Sequence, residues 1–189
     1  VNTEVSHTAL LIQDAQTAIV EHPPPAPGSF FAAMRRAVDV AHEVGIQVIY
    51  IRVELRPGHV GVSPRNQRLT RLQPLLQEGA PGLEIHPSLA PEERDIVLTK
   101  RRVSSFVGSG LDVVLSSLDI TDLVLTGVST STAVLGTAMA AADMDYGLHV
   151  LSDACFDART DAHDLLIKDL LPAMATVLSA EEWAASIAP

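Results

Sequence analysis

A chain of 189 residues, 47% apolar and 19% charged, is long enough to bury a sizeable core and too apolar to remain disordered. Its formal net charge of −10 disfavours nucleic acid and anionic membrane as partners, because both are bound through basic surface. No apolar run reaches the roughly 18 residues of a membrane-spanning helix. The single cysteine, Cys155, excludes an internal disulfide, and with no charged leader in VNTEVSHTALL it fits a cytoplasmic protein.

In chain order, TALLIQ (8–13) reads as a short buried strand ending at Asp14, and PPPAPG (23–28) is too rigid for a helix. FFAAMRRAVDVAHEVG (30–45) has helical apolar spacing and a glycine stop. QVIYIRV (47–53) is a second strand, RPGHVGVSPRNQ (56–67) a polar loop and DIVLTK (95–100) a third strand. SGLDVVLSSLDI (109–120) predicts a helix, DLVLTGV (122–128) a fourth strand, and STAVLGTAMAAADMDYG (131–147) a helix of small residues. LHVLSDA (148–154) is a fifth strand, ARTDAHDLLIKDLL (158–171) a helix, and ATVLS (175–179) a sixth, edge strand. Strands alternating with helices predict one α/β domain over residues 1–189. Its expected form is three-layer and doubly wound, a mostly parallel six-stranded sheet with helices on both faces.

Ligands of such sheets bind at the carboxyl ends of the strands. That rule selects Asp14, Arg52 to Arg56, Lys100 and the segment Gly127 to Ala133. Asp14 reads either as a turn or cap residue, or as one half of a carboxylate–ammonium pair with Lys100. In GVSTSTAV (127–134) the hydroxyls of Ser129, Thr130 and Ser131 suit a helix N-cap. The same segment suits an anion or oxyanion site built on helix N-terminal N–H groups. Ala133, where a nucleophile would stand, carries only a methyl group. The seven histidines show no HxH or HExxH spacing, so neither a metal nor another cofactor is expected. Cys155 reads as a small buried hydrophobe.

Together TALLIQDAQ, VIYIRVELRPG, LTKRRVSSFVGSGLDVVL and LVLTGVSTSTAVLGTAMAAADMDYGLHVLSDAC resemble the isochorismatase-like hydrolase superfamily, also called the cysteine hydrolase superfamily. The resemblance runs from about Thr8 to Ser179. It implies an acid/base role for Asp14, a catalytic role for Lys100, and a match of Gln16 to the glutamine that follows the family's aspartate. It also implies a non-proline cis peptide between Val128 and Ser129 that aims backbone N–H groups into the pocket. Gln16, Arg56, Ser129, Thr130 and Thr132 are then the expected substrate contacts, with Arg52, Arg65 and Arg102 as further candidates to meet carboxylates. Amidase members carry a cysteine where this chain has Ala133, so the covalent route is closed to it. Isochorismatases proper lack that cysteine too. They protonate an enol ether carbon and let water trap the oxocarbenium ion, which needs an acid and no nucleophile. The expectation is a metal-independent hydrolase acting on a small carboxylate substrate of the isochorismate type, with Asp14 as acid, and a homo-oligomer, dimer or tetramer. Two alternatives stay open. One is a cysteine amidase altered by engineering to alanine at 133; the other is an inactive member that binds a small molecule or a protein.

Overall fold

TALLIQ has no charged residue and every position of it is buried, as a strand hydrogen-bonded on both sides and covered on both faces requires. The structure, a computed structural model describing residues 5–187, places this strand, β1 (Thr8–Gln13), inside the sheet. Then come α1 (Thr17–Val20), α2 (Gly28–Val44), β2 (Gln47–Val53), α3 (Gly58–Gly61), α4 (Gln67–Leu76) and β3 (Ile96–Lys100). They are followed by α5 (Leu111–Ser117), β4 (Asp122–Val128), α6 (Leu135–Ala142), β5 (Gly147–Phe156), α7 (Thr160–Leu165), β6 (Thr176–Leu178) and α8 (Ala180–Ile187).

The sheet order is β3-β2-β1-β4-β5-β6, and every neighbouring pair is parallel. The expected α/β class holds, and the sheet is wholly rather than mostly parallel. Alternate side chains of each strand face opposite layers. Leu10, Ile12, Val48 and Tyr50 pack with Phe30, Met34 and Trp183 from α2 and α8. Ala9, Leu11, Ile49 and Ile51 pack with Leu115, Val134 and Ala138 from the side of α5 and α6. Each fully buried large side chain here contributes about 1.5–3 kcal/mol of transfer free energy. A smaller cluster of Val53, Leu55, Val62, Leu69, Leu76 and Leu83 seats the long β2–β3 connection.

The strand order reverses between β1 and β4. Crossovers leave to one side through β2 and β3 and to the other through β5 and β6. This opens a crevice beyond the carboxyl ends of β1 and β4, where Asp14 and Ser129 directly follow their strands.

Several boundaries differ from expectation. Helix α2 starts at Gly28, with Pro27 at its N-cap, so the proline run ends where the helix begins. The polar loop 56–67 contains α3, and α4 follows it with Asn66 accepting from the Leu69 N–H. The small-residue helix is shorter than expected: a wide π-type turn (Thr130–Val134) precedes α6, and residues from Gly147 already belong to β5. Strand β5 runs on through Cys155 and Phe156 instead of stopping at 154. The chain ends of the expected 1–189 domain, residues 1–4 and 188–189, lie outside the described residues.

Candidate active site

Asp14 leaves β1 with φ 54°, a left-handed turn that aspartate tolerates better than most residues. Its N–H still bonds Ile51 O at 2.8 Å, continuing the ladder to β2 one residue beyond the strand. Lys100, the last residue of β3, is 1% exposed and sends Nζ to Asp14 Oδ2 at 2.8 Å and to Val103 O at 2.8 Å. The other carboxylate oxygen, Oδ1, is buried without a hydrogen-bond partner among the described residues. Burial raises the Asp14 pKa; the charge and hydrogen bond of Lys100, and the more distant Arg68 guanidinium, pull it down, and burial wins. The pair expected from the two strand ends is therefore formed, and its carboxyl holds a proton above the usual carboxylate range.

The second wall comes from the end of β4. Gly127 sits at φ 127°, and a Cβ there would lie 2.1 Å from Gln13 O, so only glycine lets β1 and β4 meet at this level. The Val128–Ser129 peptide is cis. Beyond it the N–H groups of Thr132 and Val134 bond Ser129 O at 3.1 and 3.2 Å. The Ser131 N–H goes to Asp157 Oδ2 at 2.8 Å, so it is not free to meet an oxyanion. Burial would raise the Asp157 pKa, but hydrogen bonds from Ser131 and from the Arg159 backbone, with the Arg159 charge, outweigh it and hold the pKa low. The Ser129 and Thr132 hydroxyls bond each other, and Thr132 Oγ1 also accepts from Arg68 Nη2 at 3.1 Å. No imidazole bonds any of these hydroxyls among the described residues.

Between these walls lies a cavity of about 470 Å³, within the range of small-molecule sites. Asp14, Val128, Ser129, Thr132 and Ala133 line it, so the structure brings together the acid, the cis peptide and the methyl group. Three other expected contacts are not in the lining. Gln16 is fully buried and spends its amide on the backbone: Nε2 donates to Val53 O and Leu83 O at 3.0 and 2.8 Å, and Oε1 accepts from the Val53 N–H at 2.6 Å. It braces the β2–β3 connection instead of reaching substrate. Arg56 is exposed outside the cavity. Thr130 is fully buried, its Oγ1 hydrogen-bonded to His163 Nδ1 at 2.9 Å.

Arg52 bonds Thr99 and pairs with Glu54, and Arg65 is exposed; of the four arginines weighed, Arg102 alone lines the cavity. Sequence reasoning missed Arg68, Asp157 and Arg159, which also line it, along with an apolar wall of Ile19, Leu69, Leu72, Leu75 and Phe156. The leucines at 69, 72, 75 and 76 repeat at helical spacing, a signal that was present in QRLTRLQPLL. Cys155 is buried outside the lining, and burial pushes its thiol up to about 12. Among the described residues no group of three or more His, Cys, Asp or Glu side chains is placed to hold a metal ion, and no helix is long and apolar enough to cross a membrane.

A doubly wound sheet with a buried carboxyl–lysine pair at its switch point has the form of an α/β small-molecule enzyme. The match is specific: residues 8–182 fit the isochorismatase domain, and the chain belongs to that family. The ureidoacrylate amidohydrolase RutB of Acinetobacter baylyi is 33% identical over 140 residues, covering 66% of this chain and 57% of that protein. RutB of Stutzerimonas stutzeri is 29% identical over 178 residues, 82% of this chain and 72% of its own length. Thus the chain spans little more than half of the first of these relatives. An isochorismatase family protein from Burkholderia thailandensis superposes with a TM-score of 0.85 at 28% identity, over 96% of both chains. A cysteine hydrolase from Pseudomonas syringae pv. phaseolicola shares the fold with a TM-score of 0.88 at 20% identity, over 98% of this chain and 94% of its own.

Proposed function

We propose that the protein is a hydrolase that cleaves a small carboxylate substrate, an isochorismate-type vinyl ether, by general-acid catalysis from Asp14 and without a covalent intermediate. The observation that carries this reading is Asp14, whose Oδ1 is buried without a hydrogen-bond partner among the described residues, lining a cavity whose nucleophile position, Ala133, offers only a methyl group. Burial raises the pKa of this carboxyl, which favours the protonated form that a general acid needs. In the proposed reaction Asp14 donates that proton to the terminal methylene carbon of the enol ether. The ether oxygen supports the resulting oxocarbenium ion, and water adds to it. The hemiketal then collapses to pyruvate and the alcohol, and the proton released regenerates Asp14. Lys100 holds Oδ2 in place and stabilises the carboxylate once the proton has left. The test is pyruvate release from isochorismate, which we expect from the unsubstituted chain and not from Asp14→Asn.

The RutB relatives favour a second reading, hydrolysis of an amide or ureide. The covalent form of that chemistry needs an activated nucleophile. Ala133 supplies none, Cys155 lies outside the cavity, and the Ser129 and Thr132 hydroxyls are spent on each other and on Arg68. Under this reading Ala133→Cys gains amidase activity beside Asp14 and Lys100. A chain with Ala133 that is silent on isochorismate, together with an active Ala133→Cys, would select it.

A further inference from the structure

Three arginines line the cavity, and they are not equivalent. Arg159 is committed to its own side of the site: its Nη2 donates to Ser131 Oγ at 3.0 Å, and its Nε lies 3.9 Å from Asp157 Oδ1. Arg68 and Arg102 spend their hydrogen bonds on neutral acceptors. Arg68 Nη2 donates to Thr132 Oγ1 at 3.1 Å. Arg102 Nη1 is tied to Gly61 O at 3.1 Å and Arg101 O at 2.5 Å, which fixes the guanidinium and leaves its other N–H groups to spare. Neither has a carboxylate within ion-pair distance among the described residues. Asp14 and Asp157 share the cavity, but Asp14 is taken up by Lys100 and Asp157 by Ser131 and Arg159; two guanidinium groups with no carboxylate in ion-pair contact, in a cleft with apolar walls, favour an anion.

The rest of the wall says what that anion carries. Leu69, Leu72 and Leu75 project from the same helix as Arg68 at i, i+3 and i+6, and Phe156 also lines the cavity. A strongly hydrated ligand would gain nothing from this surface; a ring or branched chain would be stabilised by about 25 cal/mol for each Å² it buries.

We propose that Arg68 and Arg102 form a carboxylate subsite beside Asp14, and that the cavity takes an acid whose apolar body lies on the leucine face of α4. This inference rests on reading the cavity as the substrate site, and it names the class of acid that fits. Helix α4 then sets specificity: it supplies the anchor and the apolar surface together.

Calorimetric titration of the unsubstituted chain with benzoate and with benzamide tests the subsite without turnover, because the two probes share a ring and differ in charge. Benzoate binds about tenfold or more tightly than benzamide, the worth of a charge-assisted hydrogen bond. Arg68→Met loses that factor for benzoate and leaves benzamide unchanged; Arg68→Lys recovers part of it; Leu72→Ala weakens both probes alike. Thermal melts of each variant separate these effects from misfolding. Equal affinity for the two probes, benzoate binding unchanged in both Arg68→Met and Arg102→Met, or no benzoate binding at millimolar concentration would overturn the subsite. Benzoate discrimination without pyruvate release from isochorismate would sink the vinyl-ether reading and leave the subsite standing. Pyruvate release without discrimination would do the reverse.

Discussion

Burial raises the pKa of Asp14, and Lys100 limits how far it rises. Replacing the carboxyl by a carboxamide keeps the shape and removes the transferable proton. Asp14→Asn is therefore expected to lower the rate of pyruvate release by about 10²–10⁴-fold, the usual contribution of a general acid. Cys155→Ala is expected to leave the rate unchanged, since the thiol is buried in β5 away from the cavity. Asp14 and Lys100 were legible in the sequence because strand ends can be read from apolar runs; Cys155 was legible only as a small buried residue, since β5 runs on past it. Gln16 was not: an amide three residues past a strand looks the same whether it meets substrate or, as here, three backbone groups. Arg68 and Arg159 gave no local signal, because a surface arginine and a cavity arginine differ only in what the fold sets opposite them.

At the scale of elements, the site depends on how closely β1 approaches β4 and on the turn that follows β4. Gly127→Ala puts a Cβ 2.1 Å from a main-chain oxygen that cannot yield without parting the two central strands. It is expected to cost about 4 kcal/mol or more in chemical denaturation. Asp157→Ala strips the acceptor from the N–H groups of Ser131 and Arg159 and should cost about 1–3 kcal/mol. The strands and α2 were readable from buried runs and from the Gly45 stop. Helix α8 went unread although its entry carries a capping box: Ser179 Oγ accepts from the Glu182 N–H, and Glu182 accepts from the Ser179 N–H. The π-type turn at Thr130–Val134 could not be read, because its small residues suit an α-helix equally well and tertiary bonds to Asp157 and His163 accompany the wider path.

Across the whole molecule, the same carboxyls link the site to stability. The Asp157 pKa is lowered on folding, so its contribution is present above its ordinary value of 3.8 and is lost as pH falls through the folded value. Asp14 is the opposite case. Its pKa is raised, so its contribution is full below 3.8 and is lost as pH rises through the folded value. Removing Asp14 alone strands a lysine that is 1% exposed. Asp14→Ala is therefore expected to be less stable than Asp14→Ala with Lys100→Met, a difference that denaturation midpoints at pH 7 would register. One measurement bears most directly on Asp14 as the acid: the pH dependence of kcat/KM for pyruvate release from isochorismate. A protonated Asp14 predicts a plateau at low pH and a fall of about tenfold per unit as pH rises through its raised pKa. A rate that instead climbs with pH through that range, or a profile that Asp14→Asn leaves unchanged, would contradict it.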